Sequence, residues 1–195
     1  MNLANKITML RIALTFVFVL LFLPQLDNIW WTKLLALIIF IFAAVSDFLD
    51  GYIAKKNNMS TDFGRLMDPI ADKILVLSAF GAFLQLTLID LWMLVIIVSR
   101  EILITSLRLF ALNKGRVLSA SRAGKHKTVS QMAVILIILS FIVFKEIVLK
   151  YYTWNPDWEK VFRQGIFCLM LVTVGLTLYS GLSYLWENRK VITHL

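Results

Sequence analysis

From 164 to 186 the chain runs without one charged side chain. An apolar stretch of about 20 residues crosses the roughly 30 Å hydrocarbon core of a bilayer as an α-helix, the form in which every backbone N–H and C=O is satisfied within the segment. Composition extends the argument to the rest of the chain. Of 195 residues, 59% are hydrophobic and 16% charged, with a mean hydropathy of +0.80, far from the range of water-soluble domains. Three Pro, eight Gly and one Cys exclude a collagenous, low-complexity or disulfide-stapled chain. Cys168 lies inside an apolar run and reads as a packing residue.

Five more apolar segments carry charges near their ends or within them, and spans are expected at about 5–24, 33–56, 64–88, 91–113, 126–150 and 160–187. Pro24, Asn57-Asn58, Asp90, the Gly115 to Gly124 segment and Asn155-Pro156 supply the breaks. Short loops predict an all-α integral membrane fold: six transmembrane helices in one bundle, a single domain over 1–195, with a short interfacial segment at the N-terminus from which Arg11 reaches back to the headgroups. Lys6 and Arg11 before an apolar run imitate a secretory signal, but no small-residue cleavage site follows, so the run is read as a span.

Lys and Arg are unequally shared between the two ends of these spans. Lys33, Lys145, Lys150, Lys160 and Arg163 fall on one side, Arg100 and Arg108 lie within a span, and the other thirteen of the 20 fall on the opposite side. The positive-inside rule makes the richer side cytoplasmic, with both termini there. The expected location is the cell (plasma) membrane, in contact with membrane lipid. Trp30, Trp31, Trp154 and Trp158 mark the outer interface, and Tyr184 and Trp186 the inner one. The net charge of +8 thus reports orientation; the basic loops lack aromatic interleaving or a nucleic-acid motif, which argues against nucleic acid.

Four carboxylates fall where the second and third spans meet the cytoplasm. Asp47, Asp50, Gly51 and Ala54 stand at i, i+3, i+4 and i+7 of one helix face, and Gly64, Asp68 and Asp72 at i, i+4 and i+8 of the next. Acids at membrane depth cost at least ~2.5 kcal/mol each, and four together repel unless cations neutralise them. Hard oxygen ligands suit Mg²⁺, Mn²⁺ or Ca²⁺, so a two-metal centre is expected; intramembrane acids also mark proton or cation pathways in small transporters. The small residues beside the acids leave a strip for close approach of a nucleotide. Pro69 makes Asp68 either a helix cap or the neighbour of a kink.

Asp47-x2-Asp50-Gly51-x2-Ala54-Lys55-x8-Gly64-x3-Asp68-x3-Asp72 resembles the signature of the CDP-alcohol phosphotransferase family, with Lys55 where the family usually has Arg. Lys keeps the charge and loses the planar fork that grips phosphate bidentately. The resemblance implies a six-span enzyme that moves a phosphatidyl or similar group from a CDP-linked donor to an alcohol with release of CMP, and a homodimer. It implies two Mg²⁺ or Mn²⁺ ions held by Asp47, Asp50, Asp68 and Asp72, with Asp72 also the general base on the acceptor hydroxyl. Gly51, Ala54, Lys55, Thr61 and Gly64 would line the CDP seat.

The acceptor is expected to be read in the fourth span and the loop after it. Glu101, Thr105 and Arg108 share a face at i, i+4 and i+7 with Arg100 beside them, and a buried Arg requires an anion. Gly124, Lys125, Lys127 and Thr128 open the fifth span, where N–H groups, the helix dipole and two lysines favour phosphate. Arg100-Glu101-x2-Ile104-Thr105-x-Leu107-Arg108 with Gly124-Lys125-x-Lys127-Thr128 resembles the glycerol-phosphate-using branch of the family, the phosphatidylglycerophosphate synthases. A phosphorylated acceptor, glycerol 3-phosphate with CDP-diacylglycerol as donor, is therefore expected at Arg100, Arg108, Lys125, Lys127 and Thr128. Inositol phosphate or phosphatidylglycerol are the alternative acceptors. An internal salt-bridge network is the competing reading of Arg100, Glu101 and Arg108.

Overall fold

The computed structural model describes residues 3–22, 30–57, 62–115, 118 and 122–189, with backbone alone at 3–7, 30, 47–57, 62–69, 72, 122–123 and 125. The described residues form six α-helices and no strand: α1 Leu3–Leu20, α2 Trp30–Asn57, α3 Asp62–Gln85, α4 Leu91–Asn113, α5 Arg122–Tyr151 and α6 Pro156–Glu187. Each corresponds to one apolar segment. The sharpest boundaries follow local chemistry. α4 ends where Gly115 adopts φ +70 and its N–H donates to the Leu112 carbonyl at 2.9 Å, a left-handed stop that a side chain would strain. α6 starts on Pro156, whose missing N–H costs nothing in a first turn, and Asp157 and Glu159 complement the helix dipole there.

α5 begins four residues before the expected 126. Arg122 to Lys125 are polar enough to resemble a loop by hydropathy, yet Arg, Ala and Lys are good helix formers, and propensity extends the helix past the apolar limit. α5 and α6 contain the stretches His126–Tyr151 and Pro156–Glu187 that are long and apolar enough to cross a membrane. Among the described residues the further apolar stretches are Thr8–Leu20, Trp31–Ser46 and Lys73–Gln85.

The fold divides into two compact units, 1–82 with 135–156, and 83–134 with 157–195. In the first, α1 packs on α2 through Phe18, whose ring centroid lies 5.1 Å from Phe22 and 6.0 Å from Phe40, with Ala36 and Ala43 fully buried beside them. Lys33 bends back over the end of α1, donating to the Leu21 carbonyl at 3.4 Å with its ammonium 4.7 Å from the Phe22 ring centroid. Arg11 is only 1% exposed, with Thr8 and Thr15 buried on the same face. It is enclosed by protein rather than extended to headgroups, because this polar face of α1 turns inward.

In the second unit, the buried face of α6 is apolar at Ile166, Met170 and Val174 and turns polar toward its end at Thr173, Thr177, Ser180 and Tyr184. Arg163 ties the start of α6 to the turn before α4, donating to the Thr87 carbonyl at 2.7 Å while its Nε donates to Glu159 at 3.0 Å. Cys168 is exposed on α6, not packed inside as its apolar neighbours suggest.

Candidate functional site

α2 is unbroken through Asp47, Asp50, Gly51, Ala54 and Lys55, and α3 through Gly64, Asp68 and Asp72. On helical backbone, Asp47 and Asp50 share one face, as do Asp68 and Asp72. Only residues 58–61 join the two helices, so Asp50 and Asp68 each stand roughly 10 Å along their own helix from the connection. Pro69 lies well inside α3, which excludes Asp68 as a helix cap; the missing proline N–H takes away the helical partner of the Arg65 carbonyl. Thr61, and the side chains of Asp47, Asp50, Asp68, Asp72, Ala54, Lys55 and Lys125, lie outside the described residues. Among the described residues no group of three His, Cys, Asp or Glu is placed to hold a metal. The donor set on α2 and α3 nevertheless fits a hard divalent ion, being all carboxylate and carried by consecutive helices of one unit.

The second unit holds a buried charge cluster. The Glu101 carboxylate accepts hydrogen bonds from Lys127 and from Arg100, the latter at 3.3 Å. The other end of the Arg100 guanidinium donates to Ser180 Oγ at 2.8 Å. Gly181 makes room for this, since a Cβ there would stand 3.3 Å from Arg100 Cγ. The Glu101 and Lys127 residues are 8% and 5% exposed. Among the described residues two cations thus meet at one carboxylate, with the Arg100 and Lys127 side chains 12% and 6% exposed, and the buried Arg100 Nε has no hydrogen-bond partner.

Arg108, two turns further along α4, is exposed and sits over the Tyr184 ring, 5.8 Å from its centroid. Tyr184 is 2% exposed and its hydroxyl has no hydrogen-bond partner. Thr128 donates to the Gly124 carbonyl at 3.2 Å, inside its own helix, and Lys125 occupies the first turn of α5. Of the expected phosphate ligands, then, Arg100 and Lys127 meet at Glu101 while Arg108 stands over Tyr184. Ser180 escapes a reading of α4 and the α5 start alone, and Tyr184, expected at the inner interface, is enclosed by protein instead. Their signal is the series Thr173, Thr177, Ser180, Tyr184 at i, i+4, i+7 and i+11 on one face of an otherwise apolar helix.

The CDP-alcohol phosphatidyltransferase family matches residues 1–181. The chain belongs to that family. The match takes in the aspartate positions of α2 and α3 and the Arg100, Glu101, Lys127 and Ser180 cluster, and ends before Tyr184. Among curated members, a Bacillus subtilis (strain 168) protein named CDP-diacylglycerol–glycerol-3-phosphate 3-phosphatidyltransferase is 40% identical over 98% of this chain and 97% of its own length. Proteins of the same name from Pseudomonas fluorescens and Escherichia coli (strain K12) are 34% and 35% identical over 97% and 96% of this chain and 93% and 95% of theirs. A CDP-alcohol phosphatidyltransferase of this length is therefore similar to them from end to end.

Proposed function

We propose that the protein transfers the phosphatidyl group of CDP-diacylglycerol to sn-glycerol 3-phosphate, giving phosphatidylglycerophosphate and CMP in phospholipid biosynthesis. The observation that carries this reading is near-full-length similarity to relatives bearing that activity in their names. The meeting of Arg100 and Lys127 at Glu101 is compatible with it, since a phosphorylated acceptor can use both cations, as it is with an internal salt-bridge network.

In this reading the protein is an integral membrane enzyme of six spans, bacterial, dimeric, with both termini and the reacting groups on the cytoplasmic side. Asp47, Asp50, Asp68 and Asp72 would hold two Mg²⁺ or Mn²⁺ ions, which would supply positive charge to offset that on the departing CMP. Gly51, Ala54, Lys55, Thr61 and Gly64 receive the CDP moiety. Arg100, Arg108, Lys125, Lys127 and Thr128 recognise the acceptor phosphate. Asp72 accepts the proton of the acceptor hydroxyl as its oxygen bonds to the phosphorus bearing diacylglycerol and the bond from that phosphorus to CMP breaks.

Purified protein in detergent, given CDP-diacylglycerol, Mg²⁺ or Mn²⁺ and a panel of acceptors, should release CMP with glycerol 3-phosphate. Release with inositol phosphate or phosphatidylglycerol and none with glycerol 3-phosphate would overturn the acceptor. Release that persists under chelation would overturn the metals.

A further inference from the structure

We infer that Glu101 is a positioning residue for the acceptor phosphate, and that Ser180 assists it from α6. The inference rests on the proposed acceptor and deepens it. Arg100 and Lys127 come from different helices, and two buried cations drawn toward one anion would, without a fixed counter-charge, repel one another and separate. Glu101 accepts from both, so its carboxylate sets their spacing and offsets part of their charge. Ser180 fixes the far end of the Arg100 guanidinium at 2.8 Å, and the bare backbone of Gly181 lets the arginine stem lie against α6. What this leaves pointing nowhere is Arg100 Nε, a buried donor without a hydrogen-bond partner on a group already held at both other nitrogens. An arginine and a lysine so held at one carboxylate are preorganised, and an incoming phosphate meets cations already ordered. Glu101 touches no reacting atom in this scheme; it acts through Arg100 and Lys127.

Glu101→Gln keeps the shape and removes the charge, so it separates positioning from packing. Its KM for glycerol 3-phosphate should rise about tenfold or more, as should the inhibition constant of inorganic phosphate competing with that acceptor. The KM for CDP-diacylglycerol should stay unchanged and kcat should fall far less than the acceptor KM rises. Glu101→Asp, which retains the charge, should recover part of the loss. Ser180→Ala leaves every charge in place and guards against a Glu101→Gln protein that does not fold; it should raise the same two constants by a smaller factor, about threefold. Folded variants with wild-type values of both constants would overturn the inference, as would equal loss toward donor and acceptor. Wild-type protein that ignores glycerol 3-phosphate would instead overturn the proposed reaction, so the two failures are distinct.

Discussion

Lys127 and Arg108 carry the same charge and the same proposed task, yet their surroundings make their replacements behave differently. Lys127 is enclosed and paired with Glu101, so Lys127→Met leaves that carboxylate to Arg100 and should lower thermal stability. Arg108 is exposed over Tyr184, and Arg108→Gln should leave thermal stability nearly unchanged. Both should weaken glycerol 3-phosphate by roughly ten- to a hundredfold in KM if a charged hydrogen bond to phosphate is lost. Thermal unfolding followed beside steady-state kinetics checks the pair: equal melting of the two variants would refute the enclosure of Lys127. The aspartates give a contrasting expectation. Asp47→Asn, Asp50→Asn and Asp68→Asn should each abolish CMP release while folded protein is still recovered, and full turnover in any of them at saturating Mg²⁺ would remove that residue from the metal shell. Asp72→Asn should lower kcat chiefly, because a base acts in the transition state.

At the level of helices and turns, the left-handed Gly115 behind α4 is testable in isolation. A Cβ there meets nothing within 4 Å, so Gly115→Ala pays only for backbone conformation, about 1–2 kcal/mol, and Gly115→Asn should lose less because Asn tolerates positive φ. Melting temperatures in the order Gly, Asn, Ala check this; no difference would mean the turn relaxes. The same elements show what sequence reading captures. Six apolar runs become six helices, and Asn57, Gly115 and Pro156 fall at or beside helix ends, since backbone chemistry acts locally. Hydropathy does not see which face of a helix meets protein. Arg11 illustrates this, being expected at the headgroups and found enclosed. Ser180 and Tyr184 illustrate it from α6, where hydroxyls hidden among Leu and Val barely alter a windowed average. Spacing placed the acidic positions on helical backbone, as α2 and α3 show, while the pairing of Lys127 with Glu101 was not legible, because it joins residues 26 apart on separate helices.

Over the chain as a membrane protein, orientation is the most accessible expectation. Single cysteines at Asn58, Arg122 and Arg189 should be labelled only from the cytoplasm, and one at Asp157 only from outside; the reverse would put the aspartates away from a cytosolic nucleotide donor. The background must be Cys168→Ala, because Cys168 is exposed and would itself react. The Glu101 cluster bears on how such a chain is made. Lys127 leaves the ribosome 26 residues after Glu101, and Ser180 comes 80 residues after Arg100, which at about 5–20 residues per second means delays of roughly 1–5 and 4–16 seconds. If α4 is one of the six proposed spans, it emerges with its acid lacking its lysine, and its commitment to the bilayer should wait on α5. Nascent chains ending after Asn113 should leave α4 incompletely inserted in a glycosylation-mapping assay, and chains extended through Tyr151 should restore it; equal insertion at both lengths would mean that α4 enters unaided.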